Sequence, residues 1–170
     1  MTDFYIFRHG ETRETDGGGI FAGFFRLGGG QPSLPILTKG IPTLEKIGKF
    51  LKDIPIDASF TSPYLRCVES SKVVGSISGK RFIEDERIRE LEGGIKKFGR
   101  FRERVFDFLS EIHKKNYSAI SICTHGAVIA AIKHYETTGR FFFPQLLDFP
   151  NPGNLIIIKD SKVKKINFNK

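Results

Sequence analysis

The chain has 170 residues, of which 39% are hydrophobic, so it is long enough for one domain with a substantial core, and a second domain is not expected. No apolar run approaches the roughly 20 residues of a membrane span, and residues 1–3 lack the basic start of a signal peptide, so we expect a cytoplasmic protein without a membrane partner. Lys and Arg total 27 against 19 Asp and Glu, and this net charge of +8 favours anionic partners.

The first predicted element is a buried strand that ends in two basic residues. Residues 4–8 are aromatic or β-branched up to Arg8, and His9 and Gly10 follow at once. In open α/β sheets, ligands bind beyond the carboxyl ends of such strands. The fork of an arginine suits phosphate, and an imidazole can attack phosphorus or transfer a proton. The triplet therefore indicates phosphoryl chemistry. The alternative is that this is an edge strand followed by a surface arginine and a hydrogen-bonded histidine without a catalytic role.

A glycine-rich loop over about residues 15–35 follows this strand. It contains seven glycines, interrupted by the apolar pairs Ile20-Phe21 and Phe24-Phe25. Loops of this length in compact domains are usually functional, and the phenylalanines favour partial docking on the protein. The glycine spacing matches neither a P-loop nor a dinucleotide-binding fingerprint. We predict an active-site loop at this place.

Two helices are predicted next, with a strand between them. Thr38 is suited to cap a helix that runs to about Leu51, and residues 57–61 form the strand. Ser62 as N-cap, followed by Pro63, predicts the start of the second helix, whose apolar stripe would include Leu65, Val68 and Val73.

Arg66 falls in the first turn of that second helix. A cation there opposes the helix dipole, so we interpret Arg66 as a residue held by an anion.

The second half of the chain alternates strands and helices in the same way. The predicted elements are a short strand at 81–83, an amphipathic helix with a basic outer face at 99–115, a buried strand at 119–123, an apolar helix at 127–135 and a closing hairpin at 155–159 and 162–168. The strand at 119–123 ends, like the first, in a polar triplet that contains His125.

The last twelve residues are rich in lysine, and we interpret them as a solvated terminus. We expect no nucleic-acid partner, because no aromatic platform for stacking bases accompanies these lysines. The two cysteines, Cys67 and Cys123, are not spaced as metal ligands and are expected to be small buried thiols. The four histidines lack a supporting cluster with ligand spacing, so we predict no metal and no cofactor.

Three strand-to-helix junctions thus carry Arg8 and His9, Arg66, and His125. Alternating strands and helices favour a three-layer α/β/α sandwich with a mostly parallel central sheet. Strand ends in such a sheet converge, and two arginines with two histidines would form a receptor for a phosphoryl dianion.

The motifs together resemble the histidine phosphatase superfamily, also called the phosphoglycerate mutase-like family. They are Arg8-His9-Gly10-Glu11-Thr12, Leu37-Thr38-Lys39-Gly40, Ser62-Pro63-Tyr64-Leu65-Arg66 and Thr124-His125-Gly126. The resemblance implies that His9 is the nucleophile and forms a phosphohistidine. It also implies that Arg8, Arg66 and His125 hold the phosphoryl oxygens. His9 must then keep one ring nitrogen free, with the other donating to a backbone carbonyl near Gly10.

The family's general acid usually lies in a short acidic segment, and residues 89–92 occupy that place. The resemblance favours Glu90 as the acid, with Glu92 as the alternative. Protonation of a leaving oxygen requires a carboxyl with a raised pKa. In the simpler interpretation, both glutamates only neutralise Arg87 and Arg89.

Two departures from the family pattern bear on the substrate. Thr15 stands where the family often has an asparagine, and its hydroxyl could replace one phosphate contact. The stretch between Glu92 and the Phe101 helix is too short for the insertion that covers the substrate in larger members. This shortness predicts an open pocket, which would expose a phosphoenzyme to water.

We therefore predict a phosphatase that hydrolyses phosphomonoesters of a small metabolite or a phosphoprotein. The alternatives are a cofactor-dependent phosphoglycerate mutase, a phosphohistidine protein phosphatase and a phosphate-sensing module without turnover. A carboxylic acid such as Glu90 favours phosphoesters, because cleavage of a phosphoramidate needs less help from an acid. The substrate and the oligomeric state are left open.

Overall fold

A six-stranded sheet and four α-helices make up the described part of the chain, which is residues 1–15 and 31–169 of a computed structural model. The strands are β1 (Asp3–Arg8), β2 (Ala58–Thr61), β3 (Phe82–Glu84), β4 (Ala119–Thr124), β5 (Asn154–Lys159) and β6 (Lys162–Asn167). The helices are α1 (Ile41–Lys52), α2 (Leu65–Ser78), α3 (Phe98–Lys114) and α4 (Gly126–Thr138).

The sheet has the order β3-β2-β4-β1-β5-β6. The four strands β3, β2, β4 and β1 are parallel, and β5 and β6 add to the β1 side in antiparallel pairing. The prediction of a mostly parallel sheet is confirmed. In the β1 and β4 pair, Arg8 lies opposite Thr124, so the residues that follow these two strands emerge side by side.

The side chains of β1 divide the core between the two faces of the sheet, because alternate residues of a strand point to opposite sides. Phe4 and Ile6 belong to the cluster that α3 and α4 cover. Phe7 belongs to the cluster that α1 and α2 cover. This is the predicted α/β/α arrangement of three layers.

The predicted starts of the first two helices are wrong. Thr38 lies in a 3₁₀ turn, Thr38–Gly40, and α1 begins at Ile41 with Gly40 as its N-cap. A side chain at Gly40 would place its Cβ about 3.0 Å from the Glu11 backbone nitrogen, so the turn packs directly on the chain after β1. The next helix has Tyr64, rather than Ser62, as its N-cap.

The predicted apolar stripe of α2 is wrong at Leu65, whereas Val73 packs, partly buried, against the cluster that contains Phe7. Leu65 is 37% exposed, and Val68 and Val73 are only partly buried. The buried face is instead largely polar; it comprises Arg66, Cys67, Ser70, Ser71, Val74 and Ser78. This face can be polar because it lies against the end of β1 and its hydroxyls are hydrogen-bonded.

The closing hairpin is confirmed, with Asp160 and Ser161 as its turn at φ values of 48° and 56°. None of the helices in residues 1–15 and 31–169 combines the length and apolar character needed to cross a membrane. The single domain over residues 1–170 and the glycine-rich loop over about 15–35 stay predictions. Residues 16–30 of that loop lie outside the described residues.

Candidate active site

The structure brings Arg8, His9, Arg66 and His125 together at the ends of β1 and β4 and the start of α2. The ring centroids of His9 and His125 are 5.3 Å apart. Arg66 donates from Nε to His9 Nε2 over 3.2 Å. His9, Arg66 and His125 are at most 3% exposed, so the site is a buried concentration of positive and basic groups.

Hydrogen bonds fix the protonation state of His9. Its Nδ1 lies 2.8 Å from the Gly10 carbonyl, which can only accept, so Nδ1 carries the proton. Nε2 then holds a lone pair and accepts from Arg66. Burial, and next the charges of Arg8 and Arg66, hold the pKa of His9 well below its ordinary value. His9 therefore has the free ring nitrogen expected of a nucleophile.

Ser70 connects the end of β1 to α2. The Gly10 N–H donates to Ser70 Oγ at 2.9 Å, and that hydroxyl donates to the Arg66 carbonyl at 2.5 Å. Ser70 and Arg66 lie one helical turn apart, on the same face of α2. The backbone beside His9 is thereby tied to the helix that carries Arg66.

His125 is held by a different set of neighbours. Its Nε2 lies 2.7 Å from Ser62 Oγ, and its Nδ1 lies 3.6 Å from Glu90 Oε2. Cys67 Sγ approaches Nε2 to 3.5 Å, and both cysteines are buried thiols, as predicted. Burial lowers the pKa of His125 well below its ordinary value, and the neighbouring basic groups His9, Arg66 and Arg8 act in the same direction. A bound dianion would favour the protonated ring instead.

Arg8 has a donor that the described residues leave unused. Its Nη1 donates to the Pro150 carbonyl at 3.1 Å, and its guanidinium carbon lies 5.3 Å from the centroid of the Phe149 ring. Its Nε is buried and has no hydrogen-bond partner in residues 1–15 and 31–169. Buried donors are nearly always paired, so an unpaired one beside His9 is available to an anionic ligand.

Glu90 lies at the edge of the same site. Its Oε1 accepts from the Leu91 N–H at 3.0 Å, and its Oε2 is the atom that faces His125. Burial raises the pKa of Glu90, although the Leu91 N–H and the charges of Arg8, Arg66 and Arg104 act in the opposite direction. The contact with His125 is made by Glu90 and not by the alternative, Glu92.

Thr15 uses its hydroxyl locally. Thr15 Oγ1 accepts from the Thr12 N–H at 2.8 Å and lies 3.3 Å from the Thr12 carbonyl, so it closes the turn between these two residues. Its role as a phosphate ligand stays a prediction.

Sequence reasoning missed three residues that support the site: Ser62, Ser70 and Arg104. Ser62 fits the pattern of a helix N-cap, so the sequence offered no reason to expect its hydrogen bond to His125. The position of Ser70, four residues after Arg66, was a usable signal, because residues four apart share a helix face. Arg104 was assigned to a basic outer face, yet it donates to the Arg87 and Glu90 carbonyls.

The arrangement combines a neutral imidazole with a lone pair on Nε2, two guanidinium groups and a carboxyl with a raised pKa. Such a set suits the transfer of a phosphoryl group, in which most of the catalytic work is positioning and neutralisation of charge. No group of three or more His, Cys, Asp or Glu side chains suited to holding a metal occurs among the described residues.

The fold closely matches several solved structures of low sequence identity. YhfR of Bacillus stearothermophilus is 19% identical, with 96% of this chain and 95% of that chain covered and a TM-score of 0.69. The alpha-ribazole phosphatase from Shigella flexneri is 16% identical, with coverage of 99% and 96% and a TM-score of 0.72. The protein histidine phosphatase SixA, solved with tungstate, is 13% identical, with coverage of 96% and 94% and a TM-score of 0.65. At these identities the likeness shows the fold.

A sequence comparison with curated proteins found no match. The family model of the histidine phosphatase superfamily (branch 1) matches residues 4–97, which is more than half of the chain and includes Arg8, His9, Arg66 and Glu90. The chain therefore belongs to branch 1 of the histidine phosphatase superfamily.

Proposed function

We propose that the protein is a phosphatase that hydrolyses phosphomonoesters through a phosphohistidine on His9. The observation that carries this proposal is the state of the His9 ring. Its Nδ1 proton is committed to the Gly10 carbonyl, and its Nε2 lone pair lies beside Arg66 in a buried site. A nucleophile of this kind needs no base to remove a proton before it attacks.

In the first step, His9 Nε2 attacks phosphorus, and a nitrogen–phosphorus bond forms as the phosphorus–oxygen bond to the leaving group breaks. Glu90 gives its proton to the leaving oxygen. The Arg8 and Arg66 guanidiniums and a protonated His125 neutralise the three phosphoryl oxygens. These interactions strengthen as charge develops, which is the condition for catalysis.

In the second step, water attacks the phosphohistidine. The Glu90 carboxylate accepts a proton from this water, the nitrogen–phosphorus bond breaks, and inorganic phosphate leaves. His9 returns to the neutral form with its proton on Nδ1, and Glu90 is again protonated. One carboxyl thus serves as acid and then as base, and its raised pKa suits both roles.

The substrate class that we propose is a phosphomonoester of a small metabolite or of a phosphoprotein. The placement of Glu90 beside His125 supports esters over phosphoramidates, because an ester oxygen leaves far more readily when it is protonated.

The test compares the wild type with His9→Ala on 4-nitrophenyl phosphate without added metal. We expect the wild type to release nitrophenol and, after quenching, to carry a phosphoryl group that is labile in acid and stable in base. His9→Ala should lose both signals, with turnover lower by at least about 1,000-fold, as for other catalytic groups that act as a unit.

His113→Ala is the matched control, because His113 lies on α3, pairs with Glu136 and packs against Phe4, whereas no contact among the described residues joins it to Arg8, His9, Arg66 or His125. It should keep turnover and the adduct. Turnover in His9→Ala equal to wild type would refute the mechanism. Phosphate binding without turnover in the wild type would favour a sensing module, and exchange between phosphoglycerates would favour a mutase.

A further inference from the structure

The segment that carries Glu90 has no strand or α-helix of its own. After β3, the chain forms the 3₁₀ turn Glu86–Ile88, runs irregularly through Glu90, and enters a second 3₁₀ turn at Gly94. A backbone outside a ladder needs other hydrogen bonds to hold it in one place. The position of the Glu90 carboxyl therefore depends on side chains from elsewhere in the fold.

Arg104, on α3, supplies two of these hydrogen bonds. Its Nη1 donates to the Arg87 carbonyl at 2.6 Å, and its Nη2 donates to the carbonyl of Glu90 itself at 2.7 Å. The guanidinium carbon lies 5.0 Å from the centroid of the Phe101 ring, which lies one turn earlier on the same helix. The fork of Arg104 thus joins both carbonyls to a helix packed in the core.

Other contacts hold the segment on the N-terminal side of Glu90. Thr124 Oγ1 donates to the Ile88 carbonyl at 2.6 Å, and the Ile88 side chain is fully buried. Arg87 forms ion pairs with Asp85, Asp107 and Glu111, the latter two on α3. These contacts place residues 85–88, whereas Arg104 reaches the acid residue directly.

Arg104 also brings a charge close to the Glu90 carboxyl. Burial and the neighbouring Arg89 lower the pKa of Arg104 to about 10, so the guanidinium remains protonated at neutral pH. A lysine could keep the charge, but its single nitrogen could not reproduce a planar fork that spans two carbonyls.

We propose that Arg104 is a positioning residue for the reaction, and that its hold on the Arg87 and Glu90 carbonyls keeps the Glu90 carboxyl directed at the leaving oxygen. This inference rests on the phosphatase function proposed above. The inference predicts that the loss of kcat/KM on substitution of Arg104 depends on the leaving group. Loss of a general acid slows esters with poor leaving groups far more than esters with good ones.

The experiment measures kcat/KM of Arg104→Met for phenyl phosphate and 4-nitrophenyl phosphate, which differ in how much their leaving oxygens need a proton. We expect a loss of about 10- to 100-fold for phenyl phosphate and of less than about 3-fold for 4-nitrophenyl phosphate. Glu90→Gln should show the same selectivity. In the double variant, Arg104→Met should add less than about 3-fold to the loss caused by Glu90→Gln, because both act through one carboxyl.

Arg102→Met is the control, since Arg102 is exposed on the same helix, and it should match wild type on both esters. The inference would be overturned if Arg104→Met lost kcat/KM equally on both esters. It would also be overturned if the loss in the double variant equalled the product of the two single losses. Neither result would contradict the phosphatase function. Equal losses for Glu90→Gln itself would remove the acid role and, with it, this role of Arg104. The adduct on His9 tests the phosphatase function separately.

Arg104→Lys covers the case in which Arg104→Met does not fold. It keeps the cation and a single donor nitrogen, so it should show a smaller loss with the same preference for 4-nitrophenyl phosphate. Thermal unfolding of each variant identifies those that are folded in the assay. A folded Arg104→Lys enzyme that loses equally on both esters would also overturn the inference.

Discussion

His9 and His125 are two buried imidazoles that burial keeps neutral, yet their neighbours give them different tasks. His9 donates its Nδ1–H to the Gly10 carbonyl, which leaves a lone pair on Nε2 for the attack proposed above. His125 lies between the Ser62 hydroxyl and the Glu90 carboxyl. Both groups can accept a hydrogen bond when the His125 ring gains a proton. One ring is fixed in one tautomer, and the other can become a cation when a phosphoryl group arrives.

The first residue-scale prediction concerns the pH dependence of the acid step. In the proposed mechanism Glu90 must be protonated to act, and its pKa is raised by burial, so its contribution is present below that raised pKa and is lost as the pH rises through it. The measurement is the ratio of kcat/KM for phenyl phosphate to that for 4-nitrophenyl phosphate between pH 4.5 and pH 8. We expect this ratio to fall with increasing pH.

Taking the ratio cancels the titration of enzyme groups that act equally on both esters, and once each ester's own second phosphate ionisation is corrected for, the fall reports the leaving group. In Glu90→Gln the ratio should be low and independent of pH. A wild-type ratio that stays level over this range would show that Glu90 does not protonate the leaving oxygen.

The group of Arg8, His9, Arg66 and His125 could be predicted because each lies near the end of an apolar strand or in the first turn of a helix, where a charged or basic residue stands out from its apolar neighbours. Ser62 and Arg104 could not, because their importance lies in partners that are distant in sequence. A serine before a proline, such as Ser62, is usually interpreted as a helix cap. An arginine on an amphipathic helix, such as Arg104, is usually interpreted as a residue exposed to solvent.

At the scale of elements, α2 shows why periodicity alone misplaced a helix face. The predicted stripe used its leucine and valines, whereas the buried residues of the helix include Arg66 and three serines, one of which accepts a hydrogen bond from Gly10. The helix begins at Leu65, which brings Arg66 into its first turn and places the Ser70 hydroxyl within hydrogen-bonding distance of the Gly10 N–H. The proposed site requires polar groups on the buried face of α2. The hydrophobic pattern of this helix is therefore weaker than that of a helix which only packs on a sheet.

The hairpin between β5 and β6 carries the next prediction. Asp160 and Ser161 both adopt left-handed backbone angles, which favour Asn and Gly in a two-residue turn. Asp160→Asn combined with Ser161→Gly should raise the free energy of unfolding by about 0.5 to 1 kcal/mol. Urea denaturation at pH 7 measures the change, and activity should equal that of wild type.

Ser76→Gly is the matched control, since it makes the same replacement at an exposed position inside α2. Because serine is already a weaker helix former than alanine, this replacement in the helix interior should lower stability by about 0.5 kcal/mol. A double hairpin variant no more stable than wild type would mean that the turn does not adopt these angles in solution.

At the scale of the molecule, the buried histidines make stability depend on pH. Both have folded pKa values well below 6.5, so the unfolded chain binds more protons as the pH falls below 6.5, and folding is weakened there. Each histidine can contribute a slope of up to about 1.4 kcal/mol per pH unit. Glu90 has the opposite sign, since its raised pKa gives stability that is lost as the pH rises.

The comparison of wild type with His9→Gln isolates one of these slopes. Urea denaturation at pH 5, 6 and 7 should show stability falling less steeply toward pH 5 in His9→Gln, by about 1 kcal/mol per pH unit. Parallel curves for the two proteins would mean that His9 titrates normally in the folded state.

The alternation of strands and helices was sufficient to predict three layers and a mostly parallel sheet. The order of the strands was not predicted, because it depends on which edges meet in three dimensions. The starts of α1 and α2 were misplaced, since the Thr38 turn packs on the chain after β1 and the Ser62 hydroxyl is used by His125.

The register of β1 also has a consequence for how the protein is made. Phe4 pairs with Ile120 and Ile158, so β1 can join the sheet only after β4 and β5, which lie far along the sequence, have been synthesised. Loops of this length close slowly, and folding of such non-local pairs is correspondingly late. His9 meets His125 only after that closure. A partly synthesised chain that ends before β4 therefore carries His9 without the pocket in which we propose that it acts.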